Sequence, residues 1–139
     1  MKKIILSCIF LCVPFFSYAE TDSGVISHTI LQDINIYRKA YNLPPIQEET
    51  SLCKLATTRV KQVISDWSHD QFQIEIDAIE NMNGVFYENL ARTYTTKDVV
   101  YMWSLSKNGH NETMLRSDMV YGCVAKVGET YAFEGYSPK

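Results

Sequence analysis

No stretch of this chain concentrates lysine and arginine, and no segment repeats. The 139 residues carry 16 acidic and 13 basic side chains, spread so that no basic patch offsets the acidic excess. A surface of that sign repels phosphate backbones and anionic lipid headgroups, which excludes nucleic acid as a partner class. Long apolar runs are missing too, apart from one at the start. That run, Ile4 to Phe16, follows Lys2 and Lys3 and precedes Ser17-Tyr18-Ala19. A positive start, a short apolar run and a small-x-small site have the layout of a secretory signal, cut after Ala19. The run is too short for a transmembrane helix, and no later segment has the length. The expected product is secreted or periplasmic, with no transmembrane segment in the mature chain. Its net charge is about −5, because Lys2 and Lys3 leave and every acidic residue stays.

Cysteine is scarce as well. Of the four, Cys8 and Cys12 lie in the signal, so Cys53 and Cys123 remain. In an oxidising compartment they allow one bridge, which stabilises by about 4 kcal/mol on the chain-entropy model. Both also sit in apolar runs where free thiols pack well, so two separate core cysteines are the other reading. Linkers and low-complexity stretches are absent, and residues 26–139 read as one domain behind a mobile leader at 20–25.

Ile26, Ile30, Ile34, Tyr37 and Tyr41 recur at helical spacing, with Gln32, Asp33, Asn35, Arg38 and Lys39 on the other sides. Asn42-Leu43-Pro44-Pro45 ends this helix. His28, near its start, reads as a surface residue without a partner. Thr50 or Ser51 is placed to cap a second helix, in which Leu52, Leu55, Ala56, Val60, Val63 and Ile64 form the apolar face up to Trp67. Phe72 to Met82 fits both strand alternation and helical spacing, and a short helix is expected. Asn81 to Gly84 is a turn, Val85-Phe86-Tyr87 a brief extended entry to Glu88, and Thr96 the cap of a helix carrying Val99, Val100 and Trp103. Asn108-Gly109 breaks that run, and His110 starts another short helix with Met114 and Leu115. Two strands follow, Met119 to Val127 and Thr130 to Tyr136, turning at Gly128-Glu129. Helices first and a hairpin last give an α+β layered domain.

Only three histidines occur. His69 and His110, with Glu88, make a His2Glu set drawn from three segments, adequate for Zn²⁺ with an open position. No short spacing such as His-Glu-x-x-His supports it. The same residues also read as a carboxylate satisfying one histidine in a partly buried cleft, with Asn89 pinning the loop. Ser68 and Ser106 stand near a histidine in sequence, but neither sits in a nucleophile-elbow context and no third residue orients a base. Glu112 follows His110 too closely for its direction to be read. Tyr87, Tyr94, Tyr101 and Tyr121 offer an aromatic rim for a lipid, peptide or glycan, but most read as core and core-edge residues.

Taken in order, Tyr37-Arg38, Leu43-Pro44-Pro45, Ser68-His69, Glu88-Asn89-Leu90-Ala91, Trp103-x-x-Ser106, Gly109-His110-Asn111 with Met114-Leu115, and Tyr121-Gly122 resemble the CAP superfamily. That family, also called the SCP domain, comprises cysteine-rich secretory, antigen 5 and pathogenesis-related proteins. The likeness runs from about Ile30 to Tyr136 and is greatest to the short bacterial branch. It implies a three-layer α/β/α sandwich with a small antiparallel sheet. It also implies a cleft lined by two histidines and one or two glutamates, which in some members hold a divalent cation. Matched by motif, these are His69, His110 and Glu88, with zinc the foremost cation. The second glutamate's position is Ser106 here, so nothing obvious is left over as a general base. Tyr87 stands where the family has glycine. The sandwich sets the second helix against one sheet face, where Cys53 and Cys123 either meet or merely share a core.

The resulting expectation is a non-catalytic binding module whose cleft, with His69, Glu88, His110, Ser106 and Asn89, takes a divalent cation or small ligand. The alternative is a metal-assisted, peptidase-like hydrolase using the same cleft. Whether the partner is a small molecule, a lipid or a protein is open, as is the oligomeric state. Mass spectrometry of protein recovered outside the cytoplasm should find Glu20 as the first residue. A product that keeps Met1 to Ala19, or stays in the cytoplasm, overturns the signal.

Overall fold

The computed structural model describes residues 25–94 and 96–139. The signal and positions 20–24 of the leader lie outside the described residues. The period-2 pattern near the end of the chain forms the centre of the sheet. Strands β4 (Tyr121–Val127) and β5 (Thr130–Pro138) pair antiparallel. Gly128 turns between them at φ 56°, a left-handed conformation that favours glycine. On the far side of β5 runs β3 (Gly84–Arg92), antiparallel and in unbroken register from Gly84↔Pro138 to Arg92↔Thr130. Two short strands lie along β4: β1 (Val25–Ile26) antiparallel and β2 (Gln47–Glu48) parallel. The order is β1-β4-β5-β3, so the sheet is antiparallel except at β2.

Alternation along the strands sends side chains to two helical layers. Val124, Tyr131, Phe133 and Ala91 join Ile30 and Ile34 of α1 (His28–Ala40), Val99 and Trp103 of α4 (Thr96–Ser104), and Met114 of α5 (His110–Met114). On the other face Ala125, Ala132 and Leu90 meet Ala56, Val60 and Val63 of α2 (Thr50–Ser65). Beside them Cys123 and Tyr136 pack with Leu52, Cys53 and Leu55, flanked by Phe72 and Ile76 of α3 (Asp70–Asp77) and by Phe86. The three-layer α/β/α sandwich is thus the architecture. Cys53, in the first turn of α2, faces Cys123 on the sheet, and the two form a disulfide with Cα atoms 5.0 Å apart.

Several local expectations change. Val25 belongs to a strand rather than a leader, and Ile26 precedes the first helix instead of starting it. The second helix is capped neither by Thr50 nor by Ser51: the Glu49 carboxylate accepts from Leu52 N–H at 2.9 Å. It stops at Ser65, short of a half-exposed Trp67. His28 has a partner, Glu48, at 2.6 Å across the surface. The brief extended entry at Val85 is part of a nine-residue strand that carries Glu88 and Asn89. Gly84 permits its start, since a Cβ there would collide with the Ser137 carbonyl.

The largest departure is Arg38, placed by residue type on the polar side of the first helix but fully buried. It lies one turn after Ile34, so the helix aims it inward. Its guanidinium donates to the carbonyls of Pro44 (2.9 Å), Met114 (2.7 Å), Arg116 (2.9 Å) and Met119 (3.5 Å). Four main-chain acceptors, from the end of α5 and two loops, are satisfied by one side chain that needs no carboxylate.

Non-reducing peptide mapping should find Cys53 joined to Cys123, and reducing the bond should lower unfolding stability by about 4 kcal/mol. Two free thiols in exported protein, or an unchanged denaturation midpoint on reduction, overturns this.

Candidate functional site

Parity along β3 decides which residues reach the site. Phe86, Glu88 and Leu90 point to the α2/α3 layer, while Tyr87 and Ala91 join the cluster on the opposite face. Under Glu88 lies Arg59, which falls on the apolar stripe of α2 between Ala56 and Val63 and is fully buried. Its Nε donates to Glu88 Oε2 at 2.6 Å and its Nη2 to Oε1 at 3.1 Å, a two-point ion pair. Two further donors go to Gln62 Oε1 (2.7 Å) and the Ser68 carbonyl (2.8 Å). One guanidinium therefore joins α2, β3 and the turn that leads into His69.

His69 Nδ1 lies 2.7 Å from Glu88 Oε1. An ionised carboxylate only accepts, so this contact assigns a proton to Nδ1 and leaves Nε2 out of the bond to Glu88. The imidazole is 59% exposed while the Glu88 side chain is 1% exposed. His110 comes from the other layer, where Gly109 at φ 93° opens α5. Asn89 Nδ2 donates to its carbonyl at 2.9 Å, tying α5 to β3. Burial lowers the His110 pKa, the charge of His69 lowers it further, and Glu112 acts in the opposite sense. His110 is thus held as a neutral imidazole within electrostatic reach of His69.

Directly across the ladder from Glu88 stands Glu134, fully buried. As a carboxylate it would have no donor for either oxygen. Burial first, then the charge of Glu88, raises its pKa well above the ordinary range, against the pull of Arg59. It therefore keeps its proton, which also lets it donate to Glu88. Glu88 is surrounded by Arg59, His69 and Glu134.

The three sequence candidates are placed unequally. His69 and Glu88 touch, but His69, Glu88 and His110 do not form a trio of donor atoms within 4.8 Å of one another. Among the described residues the one such trio is Glu48, Cys53 and Cys123, whose sulfurs are bonded to each other. Ser106 accepts from Asn108 N–H at 3.1 Å and shapes the turn ahead of His110. Tyr87 packs away from Glu88, with the Arg116 guanidinium 4.4 Å over its ring. Arg59 and Glu134 went unread as site residues. The available signal was a charge on an apolar stripe in one case, and a carboxylate inside an otherwise apolar strand in the other.

Residues 31–134 match the family model described as the cysteine-rich secretory protein family, CAP. No curated protein matches the chain. Among solved structures, the fold is similar to a cysteine-rich secretory protein from Staphylococcus aureus subsp. aureus Mu50, with TM-score 0.71 and 14% identity over 78% of this chain and 37% of that one. An outer surface protein from Borrelia burgdorferi gives TM-score 0.67 and 20% identity, covering 84% and 99%. An extracellular protein containing a SCP domain from Bacillus anthracis str. Ames gives 0.66 and 20%, covering 80% and 39%. The chain thus spans under two fifths of the Staphylococcus and Bacillus chains and nearly all of the Borrelia one.

The raised pKa of Glu134 has a defined sign in stability. Its folded pKa exceeds the unfolded value of about 4.3, so its contribution is intact below that pH and is lost as pH rises towards the folded pKa. Glu134→Gln should change stability little near pH 4 and raise the denaturation midpoint at pH 8. A variant no more stable than wild type at pH 8, relative to pH 4, overturns the buried-acid assignment.

Proposed function

Because this chain belongs to the cysteine-rich secretory protein (CAP) family, we propose that it is an extracytoplasmic, non-catalytic binding module whose cleft receives a divalent cation or small ligand between His69 and His110. The observation that carries this reading is the Arg59–Glu88–His69 relay, which holds one imidazole by its Nδ1 and leaves its Nε2 for a ligand, with His110 within electrostatic reach and its pKa lowered by burial. Two unprotonated imidazole nitrogens suit a zinc-type cation. Glu88 suits the role of the carboxylate behind His69 better than that of a direct ligand, since Arg59 engages both its oxygens. A cation held there would lend Lewis-acid charge to whatever occupies the cleft.

The absence of a ready base favours binding over turnover. Ser106 stands where the family's second glutamate would, and Glu134 is buried and protonated. The extracytoplasmic part is supported by the outer surface protein of Borrelia and the extracellular protein of Bacillus that share the fold. Among the described residues no helix is long and apolar enough to cross a membrane.

Calorimetric titration with Zn²⁺ should show binding that falls at least about tenfold in His69→Ala and in His110→Ala. Unaltered affinity in both variants overturns the two-histidine cleft. Turnover of a peptide library that His110→Ala abolishes would instead favour the metal-assisted hydrolase.

A further inference from the structure

The outer edge of β3 is open main chain. Lys139 N–H donates to the Asn83 carbonyl and Thr93 N–H to the Glu129 carbonyl, one at each end of β3. Both bonds join directly opposed residues of the β3–β5 register. Odd-numbered residues of β3 therefore direct their N–H and C=O groups to β5, and Gly84, Phe86, Glu88 and Leu90 direct theirs off the sheet. Leu90 is closed by Trp103, whose Nε1 donates to its carbonyl at 3.1 Å. The outward groups of Phe86 and Glu88 have no hydrogen-bond partner among the described residues. Glu88 also shows where water reaches. The residue as a whole is half-buried although its side chain is 1% exposed, so the accessible part is its backbone. His69 rises beside this edge from the α2/α3 layer and His110 from the α4/α5 layer.

We propose that this edge binds an extended peptide segment, which pairs as an added strand with Phe86 and Glu88 and runs between His69 and His110. The inference rests on the reading of the cleft as a binding site and names its ligand class. An extended polypeptide offers the alternating donors and acceptors that two outward residues at strand spacing require. A second copy of the chain is a poorer fit. Trp103 blocks the edge at Leu90, and the few open residues before it are too short a strand to hold two domains together. The outward Nε2 of His69 then lies beside the ligand backbone, where it selects for a donor or, with a bound cation, for a carbonyl or carboxylate.

Amide hydrogen exchange followed by NMR on the mature protein tests this in two steps. In the free protein the Phe86 and Glu88 amides should exchange about a hundredfold faster than those of Tyr87 and Asn89. Pooled short random peptides should then slow both. The tightest peptide, remade with N-methyl groups on alternate residues, should lose about tenfold in affinity in one register and little in the other. A Glu88 amide already protected in the free protein, or peptide binding indifferent to N-methylation, overturns the added strand. Zinc binding without any peptide binding overturns this inference and leaves the cleft reading standing. Failure of both ligands overturns the two together.

Discussion

A single cation, Arg59, sits beneath the sheet, and the site's geometry depends on it. Removing a guanidinium and a carboxylate from water costs several kcal/mol for each ion, which attraction offsets only when the geometry is good and the remaining protons find acceptors. Here the geometry is good: Glu88 accepts from two nitrogens, and Gln62 and the Ser68 carbonyl take two more of the five protons. Because Ser68 precedes His69 and Glu88 also receives His69 Nδ1, the pair that neutralises the core also positions the exposed imidazole. Glu134 then has one tolerable state. A second carboxylate beside Glu88 would oppose a cation already matched, so it stays protonated.

Each helical layer supplies one of the two histidines, with β3 tied to both. His69 is fixed through side chains in the α2 layer, whereas His110 is fixed through its main chain by Asn89. The first is held through its ring and the second through its backbone. Asn89 itself is fully buried with its side-chain oxygen unpartnered, and its bond to the His110 carbonyl holds the start of α5 while Arg38 holds its end at Met114.

Periodicity made the layers legible. The apolar stripes of α1 and α2 and the alternation of β4 and β5 name most of the residues that pack, and the order of short motifs carried the family and both histidine corners. What stayed hidden were residues whose type contradicts their place. Arg38 and Arg59 lie on apolar stripes at helical spacing from Ile34 and Ala56, yet a reading by residue type sends arginine to solvent. Glu134 was passed over among Phe133 and Gly135 because a lone carboxylate gives no hint of the neighbour that keeps it protonated. The full extent of β3 was hidden for another reason: its pairing depends on Thr130 to Pro138, more than thirty residues away, and on space that only Gly84 leaves. Local sequence reports on neighbours along the chain, and these features are set by neighbours across it.

Arg38 has a consequence for how such a chain can be assembled in time. Its partners at Met114, Arg116 and Met119 are 76 to 81 residues downstream. The strands β1 and β2, which bracket the first helix, pair only with β4. The first helix therefore finds its packing partners in α4, α5 and β4 only after residue 99, and its strand neighbour later still. Folding waits on long-range closure, which slows it and leaves the apolar stripe of α1 uncovered in the interval.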